Sequence, residues 1–323
     1  MRRTLAFLLS LPLALAQSPH TGDTPTIRAR TSLVMVPVTV LDHHGDAVDG
    51  LGPSDFTLAS DGVPQRFHLD TTDTIDAPIS LAVAVQTSGN SAAALVKIRK
   101  IASMLGPMLG GDRARLALLS YSDQVTLLEP FTSNQSSLDN AFARLKPGPP
   151  LSGTMLDAVN QAIPLLAAET GRRRVLLILG ESRDRGSKVK IEDVLPAIEH
   201  DAIEVYALTY SAYATAFASH PSDLQPPEGG GLLSVFTELG RLAKTNTAEA
   251  LVQAGGGERF SFVTRSSLER LITRLSDHIH SQYLLSFTPA STTPAGLHQI
   301  AVTLTDHPHF TLHARPAYFW AGE

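Results

Sequence analysis

From Pro78 onward the chain alternates short, continuously apolar runs with stretches of helical period, the pattern of βαβ units and a parallel sheet. Ile79–Val85 reads as a buried strand, followed by the polar turn Gln86–Ser91. A helix is expected over Ala92–Leu109, where Ile101, Met104, Leu105 and Met108 share one face. Arg115–Tyr121 and Gln124–Leu128 read as a hairpin across Ser122–Asp123. Further helices are expected over Gln135–Leu145, over Thr154–Ala168 with Ser152 or Thr154 as cap, and over Lys190–His200. Strands are expected at Arg174–Leu179, Ile203–Leu208 and Arg259–Val263. Arg172–Arg174 reads as a solvated turn. One long helix spans Leu232–Ala254, ending at glycines, and a last helix spans Ser266–His280.

Both ends carry a different pattern. Leu33–Leu41 is valine-rich with period two, and Ser54–Asp70 reads as two strands around Asp61–Gly62. After Ser281 the chain returns to strands in Tyr283–Pro289, Leu297–Asp306 and His309–Trp320. Neither end has enough strands to be stable alone. The expected organisation is therefore a mostly parallel, doubly wound α/β domain over 78–281, inserted in or flanked by an antiparallel β unit. Segments 27–77 and 282–323 would make that unit by packing together; two small flanks docked separately are the alternative.

The N-terminus changes the picture of location. Arg2 and Arg3 precede an apolar run, Leu5–Leu15, and Ala14-Leu15-Ala16 forms a small-x-small site. Residues 1–16 thus read as a signal peptide, 17–26 as a disordered leader, and the protein as secreted or periplasmic. No later segment has the length and apolarity of a membrane helix, so no stable membrane insertion is expected after cleavage. There are no cysteines in the 323 residues, which excludes disulfides, thiolate metal sites and a cysteine nucleophile. A net charge of −5 argues against nucleic-acid partners.

Three polar segments fall at one edge of the expected sheet: Gln86–Ser91 after the first strand, Ser152–Thr154 opening a helix, and Gly180–Ser187 after another strand. With the flanking segments 36–65, 283–289 and 313–319, they resemble the secreted bacterial von Willebrand factor A-related family along about nine-tenths of the chain. The resemblance implies an A-domain sheet wrapped by helices and a protein-binding role. It also implies a metal-ion-dependent adhesion site, which in the family reads D-x-S-x-S, then Thr, then Asp. Here the matching positions hold Gln86, Ser88, Asn90, Thr154 and Glu181. One formal carboxylate remains, with Asp157 and Asp184 placed to reach in through water. Charge count governs affinity for Mg²⁺ or Ca²⁺. The alternative is that these residues hydrogen-bond one another and hold the loop shape without metal.

Function is expected to be that of a secreted, non-enzymatic protein-binding or adhesion module with a degenerate metal-ion-dependent adhesion site. A protein or cell-surface ligand would dock at the sheet edge, and the long loop Tyr210–Gly231 would contribute to that surface. A metal-free structural or assembly module is the alternative. Gly180–Asp184 weakly echoes a nucleophile elbow around Ser182 but lacks its final glycine, so an extracytoplasmic hydrolase ranks third. His307 and His309 would share a strand face and could in principle ligate zinc, although surface histidines are the commoner case. Oligomeric state is not legible in the sequence.

Overall fold

The computed structural model describes residues 33–70, 78–88, 91–101, 104–105, 113–149, 152–210, 231–262 and 265–322. The expected signal peptide and leader, residues 1–26, lie outside them.

The central sheet has six strands in the order β10-β9-β8-β5-β6-β7. These are β5 (Ile79–Gln86), β6 (Arg115–Tyr121), β7 (Val125–Thr132), β8 (Arg173–Gly180), β9 (Ile203–Thr209) and β10 (Arg259–Ser261). All pairings are parallel except β6 with β7. Every residue of β5 is buried, because helices cover both faces. Ile79, Leu81, Val83 and Val85 pack with α1 (Ala92–Ile98), α2 (Gln135–Ala143) and α7 (Arg265–His280). Ala82 and Ala84 pack with α3 (Met155–Ala167), α4 (Ile191–His200), α5 (Leu232–Ala243) and α6 (Thr247–Gly255). Two covered faces remove the need for alternation, so the strands read as solid apolar runs. β7 is the antiparallel edge strand, and it carries Pro130, a residue that edges tolerate.

Two four-stranded antiparallel sheets make up the rest, β13-β1-β11-β4 and β14-β12-β2-β3. Here β1 is Val34–Leu41, β2 Phe56–Ser60, β3 Val63–Pro64 and β4 His68–Asp70. From the other end come β11 (Tyr283–Phe287), β12 (Gly296–Leu304), β13 (Thr311–Ala314) and β14 (Ala317–Trp320). Each sheet therefore takes strands from both ends of the chain. Between them lie Val36, Val38, Phe56, Leu58, Leu285, Phe287, Tyr318 and Trp320.

The polar groups of Arg173, Glu204 and Gln282 tie this β unit to the parallel sheet. Arg173 reaches Glu204 at 3.0 Å and donates to Ile279 O at 2.8 Å. Gln282 Nε2 donates to Glu204 at 3.0 Å and to Tyr206 Oη at 3.1 Å, and reaches Thr39 Oγ1 of β1 at 3.4 Å.

Three expectations need correction. The single helix over Leu232–Ala254 is two: Asn246 leaves helical geometry and its side chain accepts from Glu249 N, starting α6 afresh. Arg172–Arg174 is not a solvated turn. Arg172 bonds Ser80 Oγ and Ile79 O, and the Arg173 side chain is only 10% exposed, on Glu204. His307 and His309 do not share a strand face, since they lie in the turn before β13, where His307 faces Asp55. Thr154 does stand at the N-cap position of α3, but its side chain makes no capping hydrogen bond.

Candidate functional site at the carboxyl edge of the parallel sheet

β5 lies between β8 and β6, so the chain's path reverses direction across the sheet at this point. Ligands of open α/β sheets bind outside the carboxyl ends of the strands at such a point. Parallel register puts Gln86, Tyr121, Gly180 and Thr209 in one row along that edge. Three loops meet there: Thr87–Ser91 and Glu181–Lys190 leave the edge, and the stretch between α2 and α3 is bonded to it.

Four of the five expected site residues meet here. Gln86, Ser88, Thr154 and Glu181 are all buried, between 1% and 8% exposed. Asn90 lies outside the described residues. Gln86 joins the loops. Its Oε1 accepts from Glu181 N at 2.7 Å, and its Nε2 donates to Ser88 Oγ at 2.9 Å. The orientation of the amide is fixed by chemistry, because a backbone N–H can only donate and so must face the carbonyl end. Ser88 Oγ continues to Ser91 Oγ at 3.1 Å, and Tyr210 Oη donates to Ser91 Oγ at 2.5 Å. Burial pushes the Tyr210 phenol up, so it remains a donor. The Glu181 carboxylate pairs with Arg185 at 3.3 Å.

The second loop is held by backbone. Thr154 N donates to Ser122 O at 2.9 Å, and Gly153 and Arg185 exchange N–H···O bonds at 3.0 and 2.9 Å. The start of α3 is capped from the third loop: Leu156 N donates to Asp184 Oδ1 at 3.0 Å and Asp157 N to Ser187 Oγ at 3.1 Å. Asp157 in turn accepts from Lys188 N and Val189 N. Asp157 and Asp184, expected to reach in through water, both accept backbone N–H bonds between the second and third loops. Thr154 Oγ1, Ser152 Oγ and Tyr121 Oη are buried with no hydrogen-bond partner among the described residues.

The four described side chains do not by themselves fit a hard divalent cation. Such an ion wants several oxygen donors, mostly anionic. Gln86 turns N–H hydrogens toward Ser88, Ser88 Oγ is occupied on two sides, and Arg185 already compensates Glu181. Thr154 offers one neutral hydroxyl. Among the described residues no group of three or more His, Asp or Glu is arranged to hold a metal.

A cleft of about 390 Å³ opens beside the loops. It is lined by Asp123, Gln124, Asp157, Asn160, Gln161 and Lys188, together with Val125 and Val189. Of the expected rim loop Tyr210–Gly231, only the two end residues are described. Ser91, Gly153, Arg185 and Tyr210 were not named as site residues, although each lies in a segment expected at this edge. Arg185 carried the further signal of a charge four residues after Glu181 in the same polar loop.

No protein-family model matches the chain, and no curated protein does. Solved structures do. The conserved hypothetical protein BatB from Bacteroides thetaiotaomicron is 14% identical over 62% of this chain and 98% of that one, with a TM-score of 0.43. An aerotolerance-related membrane protein from Bacteroides fragilis has the same identity and coverage, with a TM-score of 0.42. A von Willebrand factor type A protein from Catenulispora acidiphila is 7% identical over 91% of this chain and 75% of that one, with a TM-score of 0.48. Strand order, strand direction and the two helical layers identify the α/β part of this chain as a von Willebrand factor A-like fold, carried on an antiparallel β unit.

Proposed function

We propose that this chain is a non-enzymatic protein-binding module, exported from the cytoplasm, that docks a protein or cell-surface ligand at the carboxyl edge of its parallel sheet. The observation that supports this most is the preorganised edge. Its three loops are fixed to one another by the hydrogen bonds of Gln86 and by the Gly153–Arg185 backbone pair, so a partner meets a shaped surface and little ordering cost remains at docking. The polar cleft beside the loops supplies exposed donors and acceptors for specificity. Among the described residues no helix is long and apolar enough to cross a membrane.

The test is affinity capture from native extract with three baits: the wild type, Asn160→Arg/Lys188→Glu at the cleft, and Val63→Arg on the exposed β3 strand. A partner lost with the cleft variant and kept with Val63→Arg supports docking at the edge. Capture indifferent to the cleft substitutions, or lost with Val63→Arg alone, overturns it.

A further inference from the structure

We infer that Gln86 replaces a metal ion as the element that holds the three edge loops together, so that this edge is built to work without a divalent cation. Gln86 does by hydrogen bonding what an ion would do by coordination. One side chain, 1% exposed, reaches the first loop through Nε2 and the third through Oε1. The second loop closes over it at Gly153.

The slot is built for this amide. A Cβ on Gly153 would stand 2.9 Å from Gln86 Nε2; a Cβ on Gly180 would meet Tyr121 Oη first and stand 2.8 Å from Gln86 Oε1. Real Cβ atoms essentially never approach that closely, so a side chain at Gly153 would displace the amide, and one at Gly180 would displace the amide and the Tyr121 phenol. Neither glycine has positive φ, so the room they leave matters and not backbone conformation: for Gln86 at Gly153, and for Gln86 and Tyr121 at Gly180.

Charge is handled separately. Glu181 keeps a carboxylate at the edge, and Arg185 supplies the positive charge 3.3 Å away. Arg185 is held in place by its backbone exchange with Gly153. Its guanidinium cannot dissociate at any ordinary pH, unlike a bound ion. The arrangement therefore stays assembled in a chelating or metal-poor medium. If the edge is the docking face proposed above, docking there is insensitive to chelators.

The experiment uses the whole protein after EDTA treatment and needs no partner, so its failure is separable from failure of the docking reading. Calorimetric titration with MgCl₂, CaCl₂ and MnCl₂ is expected to give only heat of dilution, and the melting temperature is expected to be the same in EDTA and in Mg²⁺. Gln86→Leu is expected to lower the melting temperature by several degrees. In the same variant, hydrogen exchange at the Glu181 amide is expected to accelerate relative to the amides at the centre of β5. Saturable heat in the wild type that Glu181→Ala abolishes would overturn the inference. So would unchanged protection of the Glu181 amide in Gln86→Leu. The wild-type titration stands even where that variant fails to fold.

Discussion

Glu204→Ala tests how the parallel sheet and the β unit are joined. The Arg173 and Glu204 side chains are 10% and 9% exposed, and their ion pair measures 3.0 Å. Arg173 also donates to Ile279 O, and Gln282 bridges from Glu204 to Tyr206 and Thr39. Removing Glu204 takes away the carboxylate paired with a guanidinium that lies in a desolvated seam. Breaking one side of a buried pair costs about 3–5 kcal/mol. That is a large share of a total stability of about 5–15 kcal/mol. At about 2–4 °C per kcal/mol for a protein somewhat smaller than this, the melting temperature falls by about 6–20 °C. Circular dichroism melts of wild type, Glu204→Ala, Arg173→Met and the Arg173→Met/Glu204→Leu double variant give the coupling energy. The double variant is expected to recover most of the loss, because two apolar groups of similar volume need no partner. A Glu204→Ala loss below about 1 kcal/mol, the range of a surface pair, would refute the reading of this seam as desolvated.

Two further outcomes follow from carboxyl groups elsewhere. Burial pushes the Glu199 carboxyl well above its ordinary value, with the Arg315 charge and the Ala317 amide only partly opposing it. A folded-state pKa above the unfolded one means stability is lost as pH rises from about 4.5 toward the folded value. Glu199→Gln is therefore expected to raise the melting temperature at neutral pH and leave it unchanged below about pH 4; parallel pH profiles of the two proteins would disprove the shift. Asp184→Ala removes the acceptor for Leu156 N and Ser187 Oγ at the start of α3 and is expected to cost about 1–2 kcal/mol in urea unfolding, with Asp184→Asn losing less.

The fold was largely legible because its signals are local. A strand covered on both faces must be apolar throughout, and β5 is; strands of the β unit with one face in the core alternate, as Phe56–Ser60 does. The split between α5 and α6 was not legible, because the apolar period runs on through Asn246 and only its cap to Glu249 marks the restart. Arg172 and Arg173 look solvated in sequence because three adjacent arginines usually are. Their partners Ser80, Glu204 and Gln282 lie 92, 31 and 109 residues away.

The candidate site divides in the same way. Apolar runs, turn residues and segment order by themselves determined which loops would share the sheet edge, since parallel strands of matched register must end together. Tertiary structure alone decided what those loops do there. Gln86 meets Glu181 across 95 positions and Ser91 meets Tyr210 across 119, so no window of sequence contains both ends of either bond. Whether a polar side chain at an edge takes an ion or a hydrogen bond depends on which donors and acceptors are brought within about 3 Å of it, and packing sets that distance.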